Sequence, residues 1–317
     1  MKKLKISIVT PCYNEKGNIK KLAINVKKLM NQAREFEYEH IFIDNCSDDG
    51  TIEILENIAK FDKNIRVIFN ERNFGFSRSL FYGLTQASGD CAILLFADFQ
   101  DPPNLIPKMI NLWKQGAGIV VCIKDSSNEN YFIYCLRSLY YKIMKLFTKG
   151  RHLEHFTGFG LYDKKFLNFI QKINDQNPYL RGLVSEFGFR IKSLSYHQLK
   201  RESGKSHFRL IDSFDYAMHG LIANTQAPLR ILIITGFIAS IISFILGIVY
   251  LFSKLFLSGE FQNGLAGLAI SIFFIGSIQL LFLGLIGEYI GANFVQSHSR
   301  PLIIERKRLN FTRKKNI

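Results

Sequence analysis

An α/β fold with a mainly parallel sheet, followed by a transmembrane hairpin, is what this sequence predicts, and three observations predict it. Short apolar runs alternate with helical periods up to about residue 125. Polar loops follow the first, second and fourth of those runs, and two long uncharged stretches lie further along the 317-residue chain. A chain of this length can bury one sizeable core and still have material left over.

The strand-like runs are Leu4 to Thr10, Tyr38 to Ile43, Ile65 to Phe69, Ala92 to Ala97 and Gly118 to Ile123. Between them Ile19, Leu22, Val26, Leu29 and Met30 keep helical spacing, as do Ile52, Leu55, Ile58 and Ala59. That alternation predicts βαβ units. Over residues 131 to 149, Phe132, Leu136, Leu139, Tyr140, Ile143 and Phe147 share one helical face among basic residues. Such a helix lies either on an anionic bilayer or against the sheet as an ordinary surface helix.

Ile231 to Phe252 and Leu265 to Gly287 carry no charged residue, and each is long enough to cross a hydrocarbon core of about 30 Å. The connector Ser253 to Gly264 is short, so the pair reads as a hairpin. The alternative is a buried helical pair of a soluble protein. After the hairpin come Arg300, Arg306, Lys307, Arg308, Arg313, Lys314 and Lys315 against Glu305, whereas the connector has only Lys254 and Glu260. The positive-inside bias therefore places the N-terminal domain and the tail in the cytoplasm, at the inner (plasma) membrane. The expected organisation is a cytoplasmic domain over 1–207, an amphipathic juxtamembrane segment over 208–227, two membrane helices within 228–290 and a basic tail over 291–317.

Forty-one basic against 26 acidic residues, a net charge of +15, fit an anionic partner. Nucleic acid is the least favoured of these, because the charge gathers beside the apolar stretches rather than among aromatics on a recognition surface. Membrane lipids are favoured, with the tail either gripping anionic headgroups or simply solvated. The five cysteines form no C-x-x-C pair, so neither a disulfide framework nor a zinc knuckle is expected. No signal-peptide pattern stands ahead of the first strand, which again places that domain in the cytoplasm.

The chemistry gathers in the loops. Leu94-Leu95-Phe96-Ala97-Asp98-Phe99-Gln100-Asp101-Pro102-Pro103 puts oxygen donors Asp98, Gln100 and Asp101 after an apolar strand, the edge where open α/β sheets hold ligands. Those donors suit a hard divalent cation carrying phosphates better than zinc. The first strand ends in Thr10-Pro11-Cys12-Tyr13-Asn14-Glu15 and the second in Asp44-Asn45-Cys46-Ser47-Asp48-Asp49-Gly50-Thr51. Tyr13 would stack on a base and Asp44 would accept from base or ribose, although helix capping and turn formation explain the same residues singly.

Taken in this order, with Asn70-Glu71-Arg72-Asn73-Phe74-Gly75 between the second and third, these loops resemble the family 2 glycosyltransferases. The likeness is to the membrane-attached branch that charges polyprenyl phosphates, such as dolichyl-phosphate mannose synthases and bactoprenol glucosyltransferases. The resemblance implies a Rossmann-like GT-A domain, a nucleotide-diphosphate sugar as donor and a polyprenyl phosphate as acceptor. It places Pro11, Tyr13, Glu15, Asp44 and Asn45 in the nucleotide pocket. Asp98 and Gln100 would hold Mg2+ or Mn2+, with Asp98 and Asp101 at the catalytic centre.

Further along, Arg201-Glu202-Ser203-Gly204-Lys205-Ser206 is similar to the basic loop that closes over the diphosphate, nominating Arg201 and Lys205; the less favoured alternative is a juxtamembrane basic cluster. Arg181 lies in a segment the family uses near the acceptor and would meet the lipid phosphate, unless it is an ordinary surface arginine. Relatives can assemble through their membrane helices, which leaves a homo-oligomer open.

The chain departs from the family pattern at three places. Phe96 replaces the first acid of an Asp-x-Asp pair, Asn45 and Cys46 replace Asp-Gly, and Gly158 replaces an acid before Phe159. Magnesium tolerates a single carboxylate when phosphates and water complete its shell. A phosphate acceptor, mostly dianionic at neutral pH, needs no base. The rival expectations are transfer to a saccharide hydroxyl, or a membrane scaffold that kept the fold and lost activity.

Overall fold

The computed structural model describes residues 3–126, 153, 155–199, scattered helical positions between 229 and 248, 264–298 and 300–311. The expected helix over 131–149, the segment 208–227, and Arg201 and Lys205 lie outside the described residues. The chain divides into a unit of Met1–Ser213 with Ser299–Ile317 and a unit of Phe214–His298.

The first unit runs β1 (Leu4–Cys12), α1 (Ile19–Gln32), β2 (Phe36–Asp44), α2 (Thr51–Phe61), β3 (Ile65–Asn70), α3 (Phe76–Thr85) and β4 (Cys91–Leu94). It continues with α4 (Ile106–Lys114), β5 (Ile119–Ser126), β6 (Phe156–Asp163), α5 (Lys164–Ile170), α6 (Leu180–Glu186) and β7 (Ile191–His197). The second unit contains α7 (Gly264–Ser297), and the chain then returns to the first as β8 (Glu305–Leu309).

One eight-stranded mixed sheet, ordered β7-β5-β6-β4-β1-β2-β3-β8, organises the first unit. β1 to β5 and β7 share one direction, while β6 and β8 oppose it. The five expected strands and two expected helices all form. β4 stops at Leu94 rather than Ala97, because Leu95 N makes a last bond to Val9 O at 2.9 Å before the chain turns away.

The strands are near-continuous apolar runs because helices cover both faces. One core packs α1, α2 and α4 through residues such as Leu22, Val26, Leu55 and Met109; the other packs α3, α5 and α6 through Leu80, Phe81, Phe166 and Val184. α1 buries Ile19, Leu22, Ala23, Val26 and Met30, the stripe its spacing predicts. Asp163 caps α5 by accepting from Lys165 N at 2.7 Å. Between β5 and β6 the backbones approach so closely that a Cβ at Gly160 would lie 2.3 Å from Val120 O.

The tail differs from its expectation. Residues up to Ser297 extend α7, and Glu305–Leu309 is an edge strand paired antiparallel with β3. Its charges hid it, since an edge strand rich in Lys and Arg lacks apolar alternation yet resists edge-to-edge pairing. In the second unit, the 34 residues of α7 would span about 51 Å at 1.5 Å each. Within it Phe274–Ser297 is long and apolar enough to cross a membrane. Phe274, Leu280, Leu281 and Phe294 of α7 are exposed, as are Ile233, Phe237, Ile241 and Ile245 in the helical positions before it.

Candidate active site

Strand direction decides where the polar loops meet. The pairs Cys12 with Asp44 and Asp44 with Phe69 bring the ends of β1, β2 and β3 to one edge, and Val9 with Leu94 adds β4. β6 is antiparallel, so its first residues come to the same edge beside the end of β4. Tyr13, Asp44, Asn45, Asp98, Gln100, Asp101 and Arg181 therefore sit on the side where an α/β sheet holds its ligand.

The β1 and β2 loops are tied to each other. Asn14 N donates to Ser47 Oγ at 2.9 Å, and Asp48 N to Asn14 Oδ1 at 3.0 Å. Pro11 is buried within β1 opposite Ile43. Glu15 accepts from Asn18 Nδ2 at 2.6 Å, and its own N–H donates to Thr51 Oγ1 at 3.0 Å, which fixes the entry to α1. Asp49 holds the start of α2 through Thr51 N at 3.0 Å. Asp44 is fully buried and accepts from Ser47 N at 3.0 Å and Ser47 Oγ at 2.5 Å. Burial pushes its carboxyl above the usual range, opposed by the Ser47 and Cys46 hydrogen bonds and the positive charge of Arg306.

Asn45 faces the loop after β3. Its Oδ1 accepts from Asn70 Nδ2 at 3.0 Å and Phe74 N at 3.0 Å, and its Nδ2 donates to Asn73 Oδ1 at 2.6 Å. An aspartate could not make that last donation, so the asparagine suits the partner it has.

In the β4 loop Asp98 is half-buried and accepts from Gln100 N at 3.2 Å. Gln100 Oε1 accepts from Gln198 Nε2 at 3.3 Å, and Gln100 O from Leu199 N at 3.2 Å, so the end of β7 braces the loop. Asp101 is only 2% exposed and accepts a hydrogen bond from the Tyr196 hydroxyl. Burial pushes Asp101 up to about 6, with Tyr196, Lys124 and Arg181 acting to lower it and Asp98 to raise it. Arg181 opens α6 and donates through Nη2 to Thr157 O at 3.5 Å. Arg201 and Lys205 are outside the described residues.

Phe96 lies on the apolar side of this loop, its ring 5.4 Å from that of Phe76. Gly158 has φ +109, and a Cβ there would stand 3.3 Å from Leu94 Cδ2 and 3.8 Å from Phe96 Cζ. An acid at 158 is thus disfavoured by backbone and neighbours together, and Phe96 lines the space beside it.

Sequence reasoning missed Tyr196, Lys124 and Arg306. Tyr196 belongs to β7 and Arg306 to β8, and no loop motif marks either; only sheet topology brings them to Asp101 and Asp44.

Among the described residues no group of three or more His, Cys, Asp or Glu could hold a metal. Asp98 and Gln100 together offer two hard oxygen donors. That set does not close a shell, and it fits a Mg2+ or Mn2+ that takes its remaining ligands from diphosphate and water.

Residues 7–176 match the family model for glycosyl transferase family 2. The chain is 31% identical over 305 residues to the uncharacterized glycosyltransferase YkcC of Bacillus subtilis (strain 168), covering 96% of this chain and 94% of that one. It is 30% identical over 302 residues to the bactoprenol glucosyl transferase of Shigella phage SfV, covering 95% and 98%. A solved glucosyl-3-phosphoglycerate synthase of Mycobacterium tuberculosis, with Mn2+, UDP-glucose and phosphoglyceric acid, overlaps 68% of this chain and 77% of its own at 19% identity and a TM-score of 0.49. The fold gathers a polar edge at the strand ends, where open α/β sheets hold their ligands. The chain belongs to glycosyl transferase family 2, and it is a glycosyltransferase.

Proposed function

We propose that this enzyme moves a sugar, with inversion, from a nucleoside-diphosphate sugar to a polyprenyl phosphate at a membrane surface. The observation that carries this reading is the Asp98 loop at the shared strand edge, with Arg181 nearby on α6, in a chain that also contains the apolar helix α7. Near-full-length likeness to proteins named bactoprenol glucosyl transferase supports the acceptor class.

In this reading Tyr13 and Asp44 hold the nucleoside, Pro11, Glu15 and Asn45 shape its pocket, and Arg201 and Lys205 meet the diphosphate. Asp98 and Gln100 would hold Mg2+ or Mn2+, which when bound neutralises charge on the departing diphosphate. Arg181 presents paired donors to the acceptor phosphate and aims its oxygen at the anomeric carbon, on the face opposite the leaving group. That phosphate is mostly dianionic at neutral pH, so the attacking oxygen has no proton to lose. This accords with an apolar Gly158 and Phe96 wall where an acid is expected. Asp101, buried beneath the loop and held by Tyr196, keeps the path of Asp98 and Gln100 rather than touching substrate.

The fold bears on membrane attachment. β7 and β8 belong to one sheet, so any crossings between His197 and Glu305 must be even in number. If α7 crosses once, a second crossing is required, and Ile231 to Phe252 is the apolar run that supplies it. The sheet domain and both flanks of the hairpin then share the cytoplasmic side.

The test is a transfer assay with labelled nucleotide sugars, Mg2+ or Mn2+, and undecaprenyl or dolichyl phosphate in detergent. Lipid-linked sugar is expected. Product formed only with an oligosaccharide acceptor would replace this reading.

A further inference from the structure

The return strand β8 runs antiparallel to β3, so its first residues arrive at the edge that carries the site. Glu71 N, in the loop after β3, donates to Ile304 O at 2.9 Å and anchors that arrival. Asn70 is opposite Glu305 but Phe69 is opposite Lys307, which leaves Arg306 as the extra residue of a β-bulge. Side chains agree with this. Lys307 Nζ reaches Glu56 Oε1 on α2 at 2.7 Å, whereas Glu305 and Arg308 both gather at Tyr82 on α3, with Tyr82 OH donating to Glu305 Oε1 at 2.7 Å. Residues three apart in a regular strand face opposite ways; the bulge is what lets Glu305 and Arg308 share a face. Bulges commonly serve to re-aim one side chain beside an active site.

Arg306 is that side chain. Its neighbours Lys307 and Arg308 are both ion-paired, with Glu56 and Glu305. Arg306 itself is exposed and, among the described residues, makes no side-chain hydrogen bond or ion pair. Its charge is nevertheless felt at the buried carboxylate of Asp44, two strands away in the sheet. An exposed cation placed by a bulge at the ligand edge, two strands from a buried carboxylate on which its charge acts, is able to donate to a ligand that also meets Asp44.

We propose that Arg306 is a donor-binding residue, its guanidinium donating to oxygen atoms of the nucleoside diphosphate at the nucleoside end of the site, beside Asp44. The inference rests on the glycosyltransferase reading of that edge and extends it: the polypeptide on both sides of the helical unit builds the donor pocket. Removing this cation weakens donor binding and leaves the acceptor untouched.

The experiment is calorimetric titration of the full chain in detergent with UDP and with GDP, each with MgCl2, for wild type, Arg306→Ala, Arg306→Lys, Lys307→Ala and Asp44→Ala. Loss of a charge-assisted hydrogen bond predicts a Kd about 10- to 100-fold higher for Arg306→Ala. Arg306→Lys recovers part of it, and Lys307→Ala, which breaks only the outer pair with Glu56, stays within about twofold. The donor KM rises in step while the KM for polyprenyl phosphate and the melting temperature hold. If Asp44→Ala weakens binding and Arg306→Ala does not, this inference is wrong and the pocket stands. If wild type binds neither nucleotide, or neither variant changes binding, the pocket assignment fails and the inference fails with it.

Discussion

Asp98 is half-buried and its carboxylate already turns back on its own loop, so Asp98→Asn preserves size and local hydrogen bonding while removing the charge. Turnover is expected to fall by about 10²- to 10³-fold, as for loss of a transition-state charge partner, with the unfolding midpoint unchanged. Steady-state rates beside a urea titration check both. Gly158→Asp introduces an acid at a site whose φ of +109 and 3.3 Å approach to Leu94 oppose it. It should cost about 1–3 kcal/mol of stability without raising activity; a faster enzyme would show that an acid is missing rather than excluded. Asn45→Ala strips an acceptor from Asn70 Nδ2 and Phe74 N, and a loss of about 1–3 kcal/mol is expected in chemical denaturation. Asp98, Gln100 and Asp44 were legible because each follows an apolar strand in a local motif. Tyr196 and Arg306 were not, because their proximity to those residues exists only once strands distant in sequence are paired.

At the level of elements, β1 to β5 were readable from apolar runs separated by helical periods, since strands covered on both faces need no polar alternation. β6 and β7 escaped notice, Phe156 to Asp163 having glycines at 158 and 160 and Ile191 to His197 being intermediate or exposed at every position except Tyr196. β8 was hidden by its charge. Its seating is nonetheless specific: Asn310 Nδ2 reaches Ala59 O at 2.6 Å and Ile65 O at 2.8 Å, joining the tail to the end of α2 and the start of β3. Asn310→Ala should destabilise the sheet unit by about 1–2 kcal/mol, seen as a lower denaturation midpoint. Inside the sheet, His40 in the middle of β2 meets Thr10 Oγ1 at 3.0 Å, and its burial drives the imidazole down to about 3. The unfolded chain binds that proton near 6.5 and the folded chain does not, so stability is full above 6.5 and falls as pH drops toward 3. Glu39, buried with Lys5 and Arg66, is held below its usual value by its hydrogen bonds and ion pairs despite burial, and its contribution is lost below 4.5 in the same direction. Urea midpoints between pH 8 and 4 should decline, and His40→Gln should flatten the part of the decline that begins near 6.5.

For the molecule as a whole, the sheet that opens with β1 is completed by β8, a strand that follows the apolar helix α7. The sheet domain is thus completed by residues on both sides of α7 in sequence. Single cysteines placed in the connector 253–264 and at Lys63 should label from opposite sides of inverted vesicles; labelling from one side would remove the hairpin. Enzyme chemistry tests the proposal more directly. With purified wild type, a labelled nucleoside-diphosphate sugar panel and undecaprenyl phosphate, the expected result is a lipid-linked sugar whose formation needs a divalent cation and is lost in Asp98→Asn. Equal transfer by the Asp98→Asn variant, or transfer to a saccharide hydroxyl with none to the lipid phosphate, would contradict it.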